Sequence, residues 1–390
     1  MSADETEVVI AGHICLDIIP ELPEGLERIE EAFTPGRLTA LGPAAVSTGG
    51  AVANTGLALH RLGVPARLVG KVGDDLFGRA ILDYLRRRGP RLADDMTVAP
   101  GEASSYSIVI SAPRIDRLFL HCSGANDTFG ADDVPPRALQ GARAFHFGYP
   151  TAMRRMRSRR GETESLFRAA KNLGLTTSLD TTVPDTASDA GRTDWADFLR
   201  RVLPHVDLFL PSIDELLVML APTHAGAGQP GGLVSGTMLA DLAGRLLEFG
   251  AAVAVIKLGD QGVYLRTTAD VSRLERMGRA APGAADAWCG CELLAPAFEV
   301  DVAGTTGAGD CAVAGFLTGL LRGHSPAEVL GAAAAAGAAS AEQPDATSGV
   351  PTWDDLRGRI AAGWKRRDVA IPLPGWTWND DRTLAVGPNG

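Results

Sequence analysis

Apolar positions along the chain follow two alternating rhythms. Short continuous runs, VVIAGHICLDII from Val8, ARLVGKVG from Ala66, FHFGY from Phe145, LTTSLD from Leu175, VDLFLP from Val206 and AAVAVIKLG from Ala251, read as strands buried on both faces. Between them lie segments with helical spacing: GGAVANTGLALHRLG from Gly49, FGRAILDYLRRRG from Phe77, SLFRAAKNLG from Ser165 and DLAGRLLEFG from Asp241. Strand and helix in turn predict an α/β fold, a mostly parallel central sheet with helices on both faces, and such sheets bind ligands at the carboxyl ends of their strands. One region breaks the rhythm. Ser104 to His121 reads as two strands joined by a turn, and with parts of residues 18–48 it predicts a small β-rich lid. The stretches from Thr223 to Gly236 and from Ala280 to Gly290 read as surface loops.

The most informative stretch is GTTGAGDCAVAGFLTGLLRG from Gly304. Val313, Phe316, Leu317, Leu320 and Leu321 recur at the spacing of an amphipathic helix, and Gly323 falls where a left-handed cap would end it. Gly307 to Asp310 therefore occupy the helix entrance. Free amide groups and the positive end of the helix dipole make such an entrance an anion site, which glycines let a phosphate approach closely. An aspartate there would repel a bound phosphate unless its task is to take a proton from the group that attacks it. On this reading Gly307, Ala308 and Gly309 frame an anion hole and Asp310 is a general base.

Composition narrows the classes. The chain has 390 residues, 45% hydrophobic and 22% charged, which suits one large or two moderate globular domains. A net charge of −10 argues against nucleic-acid binding, and the basic run from Arg154 is left as either a solvated face or one flank of the site. No apolar run has the length of a membrane span, and MSADETE lacks the basic start of a secretory signal, so a cytoplasmic protein is expected. Five cysteines do not point to a disulfide framework, and Cys289-Gly290-Cys291 lacks the spacing of a zinc site. No G-x-G-x-x-G follows the first strand, which argues against a dinucleotide-binding dehydrogenase.

With GGAVANTGLALHRLG and GKVGDDLFG near the start and TTGAGDCAVAGF near the end, the chain resembles the ribokinase-like (PfkB) carbohydrate kinases over roughly residues 8–352. The resemblance implies a kinase domain over 1–365, with its lid from parts of 18–48 and 104–122, and a C-terminal tail at 366–390. It implies transfer of the γ-phosphoryl group of ATP, with Mg2+, to a hydroxyl of a sugar, nucleoside or polyol, and a homodimer through the lid. Residue by residue, Asp310 matches the catalytic base. Asp17, Gly49, Gly50, Asn54 and Asn126 match acceptor-binding positions, and Lys257, Gly259 and Gly262 match the nucleotide loop. Glu215 matches a glutamate that organises magnesium through water, although Ser212 stands where the family has asparagine. Asp180 is assigned either to substrate or metal organisation or to a helix cap. Gly304 replaces an aspartate that helps hold a monovalent cation, so dependence on such a cation is left open. A non-catalytic sugar or nucleoside sensor on the same fold is the alternative, disfavoured because a pure binder gains nothing from a base beside an anion hole.

Overall fold

The computed structural model describes residues 6–23, 35–36, 38–112, 115–222 and 234–390. Ten strands form one sheet in the order Thr377–Trp378, Ala385–Val386, Glu292–Ala295, Val263–Thr267, Val253–Lys257, Leu208–Phe209, Thr176–Asp180, Ala144–Gly148, Val8–Gly12, Ala66–Val69. The six from Val253–Lys257 to Ala66–Val69 are parallel, and the other four extend the sheet antiparallel. Residues beyond 365 thus supply the two outermost strands. Because side chains alternate across a strand, Val8 and Ile10 enter the core on one side of the sheet and Val9 and Ala11 the core on the other. Helices Ala51–Arg61, Ala308–Leu321 and Pro326–Ala341 cover the first side, and Glu162–Asn172, Ile213–Leu220 and Gly236–Glu248 cover the second.

The doubly covered sheet agrees with the sequence pattern, and so does the lid. Ala44–Gly49, Cys15–Pro20, Tyr106–Ala112 and Ile115–Cys122 form a four-stranded sheet in that order; the central pair is parallel and the outer pairs antiparallel. The parts of the expected lid at residues 24–34 and 37 lie outside the described residues, as does most of the loop expected from Thr223. Two expectations need correction. Helix Ala308–Leu321 is buried all round from Asp310 to Leu321, because its small residues are covered by Pro326–Ala341. A Cβ on Gly315 would lie 2.5 Å from the carbonyl oxygen of Ala332, so glycine permits this close approach. Residues 280–290 are also not simply a surface loop: helix Ala285–Trp288 inserts Trp288 into the core, 6.3 Å from the Phe316 ring. Among the described residues no helix is long and apolar enough to cross a membrane.

Candidate active site

The parallel strands deliver their last residues to one edge of the sheet. Lys257 and Asp180 end their strands, Tyr149 follows Gly148, and Ser212 follows the strand at Leu208–Phe209. Glycine at 12 and 148 lets the chains pass closely where Gly12 pairs with Gly148 and Gly148 with Asp180. Tyr149 then adopts a left-handed backbone, φ 67° and ψ 41°, shared among non-glycine residues described only by Arg382. That conformation costs roughly 1–2 kcal/mol for an L-residue. It turns the phenol into the cleft, while the Tyr149 amide donates to the Asp180 carbonyl at 3.0 Å.

Asp310 lies in the first turn of helix Ala308–Leu321, behind Gly307 at φ 75°, and is 2% exposed. Its Oδ2 accepts hydrogen bonds from Asn54 Nδ2 at 2.9 Å and from the Tyr149 hydroxyl at 2.8 Å. Its Oδ1 has only the Thr55 hydroxyl at 3.4 Å. Burial pushes its pKa above the ordinary carboxylate range, opposed by Asn54, Lys257, Tyr149 and Thr55. Burial and the Asp310 carboxylate in turn hold the Tyr149 phenol well above its usual value, so it donates. The expected anion hole is narrower than the sequence reading had it. After the turn at Gly307 the Ala308 amide bends back onto the Thr305 carbonyl at 3.3 Å, while Cys311 makes the bond to Gly307 at 2.9 Å.

Lys257 reaches the same helix entrance: its Nζ would lie 3.5 Å from a Cβ on Gly309. It pairs with Asp180 Oδ1 at 2.7 Å. Burial works against the ammonium charge, yet Asp180, with Glu215 and Asp310 nearby, holds its pKa above the usual lysine value. Beyond Lys257, Gly259 and Gly262 take positive φ, 59° and 107°; a side chain at 262 would strike the Ala295 carbonyl. Glu215 is buried, and its Oε2 accepts from Thr181 Oγ1 at 2.6 Å and from the Ser212 amide at 3.0 Å. Ser212 accepts from the Glu215 amide in return, so the Ser-x-x-Glu pair closes the start of helix Ile213–Leu220 as a capping box. Ser212, Glu215, Lys257, Gly259 and Gly262 line a cavity of about 460 Å³. Tyr149, Asp310, Val302, Ala334 and Arg367 line the same cavity.

The acceptor set sits under the lid. Asp17 is 6% exposed, and Cys15 donates to its Oδ1 at 3.3 Å. A Cβ on Gly49 would lie 2.2 Å from Asp17 Oδ2, and one on Gly50 2.5 Å from His13 Nδ1, so the paired glycines make room for these side chains. His13 meets His121 of the lid, Nε2 to Nε2 at 3.3 Å, and its ring lies 6.1 Å from that of Tyr149. Burial lowers the His13 pKa to about 3, so the ring is neutral. His13 Nδ1, Thr48 Oγ1 and Asn54 Oδ1 are buried without a hydrogen-bond partner, a rare condition that a polar ligand would relieve. Asn126 does not join this group of side chains. It is fully buried, and its carboxamide donates to the Ile14 carbonyl at 2.9 Å and accepts from the Ile14 amide at 3.2 Å. Its carboxamide is thereby committed to holding the chain between His13 and Cys15.

Sequence reasoning missed Thr55, Tyr149, His13 and Arg367. Thr55 lies one residue from Asn54 and His13 four residues from Asp17, both of which were found. The Tyr149 conformation had no signal, because a residue before proline favours extended backbone. Arg367 lies in the segment without periodicity.

The profile of the pfkB family carbohydrate kinases matches residues 7–353. The 2-dehydro-3-deoxygluconokinase of Thermoproteus tenax is 29% identical over 79% of this chain and 83% of its own. The ATP-dependent ribose-1-phosphate kinase of Halopiger xanaduensis is 25% identical over 89% and 95%. Among solved structures, Arabidopsis thaliana ribokinase complexed with ribose and ATP superposes with a TM-score of 0.66 at 18% identity, covering 91% of this chain and 98% of that one.

Proposed function

The chain belongs to the pfkB family of carbohydrate kinases, and from that premise we propose that it transfers the γ-phosphoryl group of ATP to a hydroxyl of a sugar, nucleoside or related polyol, with Asp310 as general base. Membership makes it a phosphotransferase with an alcohol group as acceptor. The observation that carries the finer reading is the carboxylate of Asp310 at a helix entrance, oriented by Asn54 and Tyr149, with the Lys257 ammonium against Gly309. The acceptor oxygen attacks the γ-phosphorus as its proton passes to Asp310. A new O–P bond forms, the bond to the β-phosphate oxygen breaks, and its electron pair leaves on ADP. The raised pKa of Asp310 makes it a better base than a free aspartate. Lys257 and the Gly309 amide face the charge that develops on the phosphoryl oxygens.

Asp17, Gly49, Gly50 and Asn54 are assigned to the acceptor, with the unpartnered atoms of His13, Thr48 and Asn54 supporting that placement. Lys257, Gly259 and Gly262 are assigned to the nucleotide. Glu215 on the cavity wall and the unpartnered Oδ2 of Asp180, the partner of Lys257, are hard oxygen donors that suit a hydrated Mg2+. When bound, that ion neutralises phosphate charge. A homodimer through the lid belongs to the same proposal, supported by exposed Val46, Leu118, Phe119 and Leu120 on its edge strands. The test is ADP release over a panel of sugars, nucleosides and polyols. Turnover with at least one acceptor is expected; saturable binding without turnover would replace the kinase by a sensor.

A further inference from the structure

This inference rests on the phosphotransferase reading of the same cleft. Asp310 presents two unequal oxygens: Oδ2 receives both strong donors, and Oδ1 only a hydroxyl at 3.4 Å. We propose that Tyr149 is a positioning residue whose hydroxyl pins Oδ2 of Asp310 and leaves Oδ1 as the oxygen that takes the acceptor's proton. Nothing in the motif that supplies Asp310 requires a tyrosine on a distant strand end.

Three observations support the assignment. The backbone at Tyr149 is left-handed although the residue is not glycine and precedes proline, and strained conformations of this kind are retained where the surroundings need the side chain in one place. The hydroxyl lies 2.8 Å from Oδ2 on a phenol that burial keeps protonated, so it points a permanent donor at the carboxylate. Tyr149 also ties the two ends of the cleft together. Its amide holds the carbonyl of Asp180, the partner of Lys257, and its ring faces His13 under the lid.

The groups that bear on Asp310 are Asn54 and Thr55 from helix Ala51–Arg61, Lys257 and Asp180 from strand ends, and Tyr149 itself, while Glu215 from helix Ile213–Leu220 acts on Asp180 and Tyr149. Of these, Tyr149 and Asn54 donate to the ionised carboxylate at normal hydrogen-bond length. Removing the Tyr149 hydroxyl therefore favours the protonated acid.

The test pairs an activity-free measurement with a kinetic one. Aspartate labelled with 13C at the carboxyl carbon, assigned through Asp310→Asn, gives the titration of Asp310 by NMR in the wild type and in Tyr149→Phe. The Asp310 titration is expected to move up by about one pH unit in Tyr149→Phe, and kcat to fall about tenfold, the loss of one hydrogen bond to a charged group. KM for ATP and acceptor stay within about twofold of the wild-type values, and in an Asp310→Asn background Tyr149→Phe has no further effect, because it acts through that carboxylate. Should Tyr149→Phe fold poorly, site-specific trifluorotyrosine at 149 keeps the shape and donates more strongly, and the Asp310 titration is then expected to move down. Superimposable titrations, or an undiminished tenfold loss in the Asp310→Asn background, would overturn the proposal. If the wild type turns over no acceptor the kinase reading fails, while the titration still decides the role of Tyr149.

Discussion

The proposed donor end and the proposed acceptor end of the cleft use different materials. At the proposed donor end the walls are backbone and small side chains: Gly307 to Gly309, Gly259 and Gly262, and alanines of helix Pro326–Ala341, with Lys257 as the one cation pressed on the helix entrance among the described residues. Under the lid the side chains are polar, Asp17, His13, His121, Ser107 and Asn54, with His13 Nδ1 and Asn54 Oδ1 unpartnered. A phosphate chain presents the same oxygens whatever base it carries, so main-chain donors and a fixed cation suffice there. An acceptor has to be distinguished hydroxyl by hydroxyl, which needs directional side chains and a cover that excludes water. Asp310 joins the two ends.

The sharpest way to break this division is at the junction. Asp310→Asn is expected to lower kcat by about 10³-fold, within the range general bases contribute, while leaving the affinity for ATP nearly unchanged in a fluorescence titration. Next in size is the acceptor end. Gly49→Ala places a methyl 2.2 Å from Asp17 Oδ2, and kcat/KM for the acceptor is expected to fall about 100-fold with KM for ATP within about threefold, the scale of a displaced hydrogen-bonding group. Steady-state kinetics in both substrates checks the asymmetry. At the donor end, Lys257→Met is expected to raise KM for ATP about tenfold or more. It also lowers thermal stability, because the buried Asp180 carboxylate loses its partner.

How much of this was legible varies along the chain for physical reasons. Strands buried on both faces announce themselves as continuous apolar runs, and the helix entrance at Gly307–Asp310 is a local pattern, so the sheet and Asp310 were readable. Helix Ala308–Leu321 looked amphipathic only because Gly315 and Gly319 cannot advertise the second helix they admit. Asn126 and Tyr149 show the reverse problem. Whether a carboxamide faces a ligand or a backbone segment 112 residues away is decided by tertiary contact, and a left-handed tyrosine before proline runs against local preference.

Two smaller effects sharpen the comparison. The proposed base role requires ionised Asp310, whose folded pKa is raised, so kcat is expected to fall as pH drops through a value above the ordinary aspartate pKa of 3.8. Stability has its own acid dependence. Burial lowers the pKa of His13 and His146 from the ordinary 6.5 to about 3 in the folded chain. Below 6.5 the unfolded chain binds protons that the native state refuses, so stability is highest above that value and declines from there to about pH 3. Denaturant midpoints across this range check it. Smallest is Arg367→Ala. Its guanidinium lies 3.6 Å from Asp260, and both residues line the cleft. Its loss is expected to raise KM for ATP about threefold, the worth of a half-exposed cation, without changing kcat.

The most direct test of the account is a crystal structure with a non-hydrolysable ATP analogue and an acceptor identified by the panel. The account predicts the acceptor hydroxyl within about 2.6–3.2 Å of an Asp310 carboxylate oxygen, in line with the terminal phosphorus. A hydroxyl bound elsewhere, or an Asp310 side chain turned out of the cleft, would contradict it.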